Sequence, residues 1–131
     1  MPEMTKQRPK HLALHQIRLP LAGYASILHR VSGAGLFMML PVLIWLLQLS
    51  LGSTQQNVET FNAVTGNWLA KLILLGLIWA FLHHFCMGIR ILLIDIHVGV
   101  EKEQAHSSAV AVMVVSLVLT AIFGLKLLGA Y

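Results

Sequence analysis

Residues 31–51 read VSGAGLFMMLPVLIWLLQLSL, and from Val31 to Val58 there is no Asp, Glu, Lys or Arg. The apolar part carries Phe37, Leu40, Val42, Leu43, Ile44, Trp45 and Leu46. About 20 such residues cross the hydrocarbon core of a bilayer as a helix. A helix satisfies its own backbone hydrogen bonds in lipid, and this chain is too short for a closed barrel. The stretch therefore predicts a membrane span. Gln48, Ser50, Gly52, Ser53, Thr54, Gln55 and Gln56 read as its polar exit and a loop.

Two further runs have the same character. One lies between Lys71 and Arg90 and is interrupted only by His83 and His84; the other lies between Glu103 and Lys126. The expectation is an all-α integral membrane protein with three transmembrane helices, at about residues 23–51, 66–94 and 105–129 of a single membrane domain covering 1–131. Composition agrees. Of the 131 residues, 57% are hydrophobic and 11% charged, and the mean hydropathy is +0.78, whereas soluble domains carry about 25% charged residues. Such a chain cannot cover a globular surface with polar groups, and it is too apolar to be disordered. The single cysteine, Cys86, excludes an intrachain disulfide and a multi-cysteine metal site. The first 30 residues are basic and mixed, without the apolar core and small-residue cleavage site of a signal peptide. No basic patch interleaved with aromatics exists, so no nucleic-acid partner is expected.

The nine cations are unevenly placed. Lys6, Arg8, Lys10, Arg18 and Arg30 precede the first span, and Arg90 and Lys102 flank the connection between the second and third. Lys71 and Lys126 alone fall on the other side. The positive-inside rule puts the N-terminal segment, residues 1–22, and the second connection in the cytoplasm or mitochondrial matrix. The basic segment serves as a topology signal attracted to anionic lipid, or as a docking surface for a soluble partner.

Ionisable groups at membrane depth are costly and face protein, water or a cofactor. His83 and His84 are such groups. Either one can serve as an interhelical hydrogen bond, a proton relay or an axial haem ligand. Residues three and four apart share a helix face. His84 shares its face with Gly76, Ala80 and Gly88, a strip that admits a flat macrocycle or a neighbouring helix. His83 sits between the bulky Trp79 and Met87, as a packed or hydrogen-bonded residue. A six-coordinate haem needs two axial ligands. His29 and His106 stand at the entrances of the other spans and are not expected to reach the depth of His84, so a second ligand is expected from another chain.

Ser26 and Arg30 lie one helical turn apart at the entrance of the first span. A hydroxyl beside a guanidinium can bind a carbonyl oxygen or carboxylates such as haem propionates. Alternatively, Arg30 snorkels to the interface and Ser26 packs a helix. Asp95, His97, Glu101 and Glu103 read as solvated loop groups.

Arg18-Leu19-Pro20-Leu21, followed by Ser26-Ile27-Leu28-His29-Arg30-Val31-Ser32-Gly33, resembles the signature of the cytochrome b556 membrane-anchor subunits of succinate dehydrogenase, respiratory complex II. His84-Phe85-Cys86-Met87-Gly88-Ile89-Arg90, followed by Asp95, is similar to a second block of that family. The resemblance implies a partner flavoprotein subunit that oxidises succinate and an iron–sulfur subunit that passes electrons to ubiquinone at a bacterial inner membrane. It also implies a second membrane-anchor subunit and a haem b shared with it. His84 then matches the axial metal ligand, Ser26 and Arg30 match quinone-site residues, and His29 and Arg30 match positions near the haem propionates. Two positions depart from the family's pattern. Ile91 stands where a histidine often follows Gly-Ile-Arg, and His97 stands where a glycine is common two positions after the aspartate. The rival readings are a haem-free membrane scaffold, a small transporter subunit, and the anchor of a fumarate reductase.

Overall fold

The computed structural model describes residues 14–129. After a short 3-10 turn at Leu14–Gln16 come four helices: α1 (Leu21–Leu51), α2 (Gln55–Gly66), α3 (Trp68–Asp95) and α4 (Lys102–Leu127). Three of them, α1, α3 and α4, are long and apolar enough to cross a membrane. Lys6, Arg8 and Lys10, which carry much of the predicted charge bias, lie outside the described residues.

Local chemistry sets the boundaries. Pro20, at φ −68°, precedes the first turn of α1 and supplies a fixed backbone angle compatible with helix entry. The 31 residues of α1 make a rod of about 46 Å at 1.5 Å per residue, longer than a hydrocarbon core of about 30 Å. Pro41 lies inside it and cannot donate to the carbonyl of Phe37. The stretch expected as a polar loop is partly helical: the Thr54 hydroxyl accepts the Asn57 N–H at 3.3 Å and starts α2. Asn67 then ends α2 and begins α3, its side chain accepting the N–H groups of Leu69 (2.9 Å) and Ala70 (3.4 Å). Between α3 and α4 the chain reverses through His97 at φ +63° and Gly99 at φ +77°. The left-handed conformation at position 97 is the one glycine adopts without steric cost. His97 is therefore mildly strained at this position.

α3 is the central helix, with α1 and α4 packed against it and against each other. The fully enclosed apolar core is small and consists of Ala25, Met87, Ala109 and Val112. Small residues allow the backbones to approach closely: a Cβ on Gly124 would stand 2.5 Å from Cδ1 of Leu75. Polar groups are buried with the core. Arg90 on α3 donates from Nε to the Ser108 hydroxyl (2.9 Å) and from Nη2 to the Ala105 carbonyl (3.0 Å), tying α3 to the first turns of α4. Outward-facing positions are apolar: Phe37 and Met38 are 74% and 76% exposed. Such surfaces belong in lipid or against another membrane subunit.

Candidate functional site

His29 lies eight residues after the start of α1, and His84 eleven residues before the end of the antiparallel α3. At 1.5 Å per residue their depths are about 12 and 16 Å. The two imidazoles meet there, ring centroids 4.1 Å apart and planes 13° from parallel. The expectation that His29 stays above the level of His84 is therefore corrected. It rested on taking residue 29 as the membrane entrance; α1 starts at Leu21, close to the expected residue 23, and His29 lies two turns inward.

The contact is specific at the atomic level. Nδ1 of His84 lies 3.0 Å from the backbone carbonyl of His29. A carbonyl can only accept, so Nδ1 carries the proton and donates. In the neutral ring Nε2 then holds the lone pair. The Ser32 hydroxyl donates to the same carbonyl at 2.9 Å and lies 3.5 Å from His84 Nδ1. Gly33 provides the space: a Cβ there would stand 2.7 Å from His84 Cε1. Thus the residue that admits the ring is a glycine on the facing helix. Of the strip on α3 itself, Gly88 lies under His29, with its Cβ position 3.9 Å from His29 Nε2, and Gly76 faces open space.

His83 occupies a different setting. It is fully buried, its Nε2 donates to the Ala25 carbonyl at 3.2 Å, and its ring stacks on Trp79 at 5.3 Å. Among the described residues, its Nδ1 and the Trp79 Nε1 have no hydrogen-bond partner. The ring ties α3 to α1 and is enclosed by protein.

Ser26 and Arg30 lie beside this contact. Ala25, His29 and Ser32 form the line on α1 that meets α3, and at 100° per residue Ser26 and Arg30 fall on the adjoining face. Ser26 is half-buried and Arg30 exposed. The pair therefore flanks the imidazole stack and stays accessible from outside the three-helix packing.

Among the described residues no group of three or more His, Cys, Asp or Glu side chains could hold a metal ion. His84 Nε2 is the ring nitrogen left free by the Nδ1 bond, and the His29 and His84 rings lie face to face. In the sequence Ser32 and Gly33 stand out only as letters of a motif. Their spacing of three and four from His29 was the signal that they share its face.

A family model described as succinate dehydrogenase/fumarate reductase transmembrane subunit matches residues 4–123. The chain is similar to the succinate dehydrogenase cytochrome b556 subunit of Paracoccus denitrificans, 36% identical over 112 residues that cover 86% of this chain and 85% of the relative. It is 31% identical to the subunit of the same name from Rickettsia felis over 118 residues, covering 90% and 91%. The corresponding subunit of Coxiella burnetii is 30% identical over 121 residues, covering 92% and 97%.

Proposed function

The chain belongs to the succinate dehydrogenase/fumarate reductase transmembrane subunit family, and from that premise we propose that it is a membrane-anchor subunit of succinate:quinone oxidoreductase, one of two anchors beside a flavoprotein and an iron–sulfur subunit. The N-terminus and the α3–α4 turn face the cytoplasm across a bacterial inner membrane, in keeping with the cation bias. The relatives' shared name favours succinate oxidation over fumarate reduction. It also favours a haem protein over a haem-free scaffold or transporter.

The observation that carries the reading is the fixed His84 ring. With Nδ1 bonded to the His29 carbonyl, Nε2 suits axial ligation of haem b, the second ligand coming from the partner anchor. A carbonyl acceptor behind a ligating imidazole fixes its tautomer and ring orientation. The absence of a Cβ at Gly33 fits this assignment, because the ring keeps its place only over a glycine. When bound, haem b supplies a one-electron reservoir beside the quinone site. The family resemblance supports His29 and Arg30 as residues near its propionates.

Ser26 and Arg30 bind ubiquinone. As a quinone is reduced its carbonyl oxygen gains negative charge, and donors fixed at that oxygen stabilise the charge more in a low-dielectric site than in water. The serine hydroxyl donates one hydrogen bond. The guanidinium stays charged at every physiological pH and has donors for both the quinone and a carboxylate.

The test is the ratio of quinone-linked to artificial-acceptor succinate oxidation in isolated membranes. Ser26→Ala and Arg30→Leu should assemble and keep oxidation with an acceptor that takes electrons upstream. Quinone-linked activity should fall about tenfold or more, further for Arg30→Leu, the loss expected when a charge-stabilising donor is removed. An unchanged ratio in both variants would falsify the quinone assignment.

A further inference from the structure

Lys71 at the start of α3 and Lys126 at the end of α4 are the two cations on the sparsely charged side, and although 55 residues apart in sequence they line one groove of about 720 Å³. Its polar rim adds Ser50, Asn62 and Thr65. Leu43, Leu74 and Leu127 form the floor, and the same three leucines wall an adjoining groove of about 600 Å³ whose other walls, among them Leu36, Phe81 and Phe123, are all apolar. The two grooves are one cleft with a cationic mouth and an apolar channel. From Leu43 to Leu36 on α1, and from Leu74 to Phe81 on α3, the channel follows seven residues of helix. That is about 10 Å, or a third of the hydrocarbon core.

Charge identifies the occupant. Cations are disfavoured on the translocated side of a membrane protein, yet both of those present here converge at the mouth of an apolar channel. The acidic residue of the neighbouring helix, Glu59, accepts from the Gln55 amide at 3.0 Å and does not line the groove. Among the described residues that line the cleft, no acidic side chain matches the lysines. A ligand that satisfies both parts carries a negative headgroup and a hydrocarbon tail.

We propose that this cleft binds one anionic phospholipid, its phosphate between Lys71 and Lys126 and one acyl chain along Leu43, Leu74 and Phe81. Asn62 lines the headgroup region beside Ser50 and Thr65, whose hydroxyls donate to the Leu47 and Phe61 carbonyls. Each lysine near an anionic headgroup contributes enough attraction that the pair together should favour anionic over zwitterionic lipid about tenfold or more.

The test is native mass spectrometry of the protein as extracted, with whatever subunits accompany it, titrated with phosphatidylglycerol and with phosphatidylcholine of the same acyl chains. The wild type should retain one phosphatidylglycerol per copy about tenfold more tightly than phosphatidylcholine. Lys71→Gln with Lys126→Gln should abolish that preference and leave phosphatidylcholine binding as it was. Leu74→Trp, which fills the channel, should weaken both lipids. Equal affinity for the two lipids in the wild type, or a preference that survives in the double lysine variant, overturns the proposal. A photo-cross-linking residue at position 74 that captures a protein subunit instead of lipid also overturns it.

Discussion

The two ends of the helix packing are built on opposite terms. Around His29 and His84, α1 and α3 are so close that a single added methyl group at Gly33 has no room, and one carbonyl receives both a serine hydroxyl and an imidazole N–H. Around Lys71 and Lys126 the helices stand apart over a groove of about 720 Å³. There the chain is organised by caps, each contributing about 1 kcal/mol. The first arrangement holds one imidazole in one tautomer and one orientation, which a permanently held group requires. The second tolerates an occupant that comes and goes. Precision in this molecule is concentrated where two helices share polar contacts at the same depth.

The contrast can be broken at four points. The largest effect is expected from His84→Ala, which should abolish the low-spin b-type absorbance of the complex, whereas His83→Ala should keep the spectrum and lose the tie to the Ala25 carbonyl. Loss of the spectrum in the His83 variant alone would reverse the two roles. Gly33→Ala should come next. The new Cβ, 2.7 Å from Cε1, must turn the His84 ring, so the Soret band should shift and the haem midpoint potential change in an assembled complex. An unaltered spectrum would mean that this end is as yielding as the other. Arg90→Met removes the donors to Ser108 and Ala105 and should cost about 2 kcal/mol, the range for hydrogen bonds to charged groups, seen as a lower thermal unfolding midpoint with the spectrum kept. Asn67→Ala should cost about 1 kcal/mol through the lost cap of α3, with no spectral change. If Asn67→Ala proved as damaging as Arg90→Met, the supposed looseness of the α2 end would be wrong.

Much of the fold is legible in the sequence because lipid imposes a simple rule. Three charge-free runs long enough to span became α1, α3 and α4. α2 escaped that rule: Gln55-Gln56-Asn57-Val58-Glu59-Thr60 is polar, and only the cap at Thr54 hints at a helix start. The site was legible in part. The small-residue strip marked His84 as set apart from His83, and the two rings do occupy different settings, but neither Gly33 nor the His29 carbonyl was legible as what holds His84. Whether two side chains on antiparallel helices meet depends on how the helices are offset along one another, and the expected start of α1 near residue 23, close to the observed Leu21, does not by itself bring His29 to the level of His84. The meeting of Lys71 with Lys126 is invisible to any local pattern, because it follows from the packing of α4 against α3.

The buried guanidinium of Arg90 has a further consequence for how the protein sits in membranes of different thickness. Its hydrogen-bond partners are neutral, and an arginine does not shed its charge, so the level of the α3–α4 hairpin is pinned near one interface. A helix pair pinned at one surface cannot slide to relieve a mismatch with the bilayer. The adjustment falls on the opposite surface, where α2 lies beside the ends of the spans and the long rod of α1 emerges. Thinner or thicker membranes should therefore leave the imidazole stack undisturbed and be absorbed at the lysine-lined end.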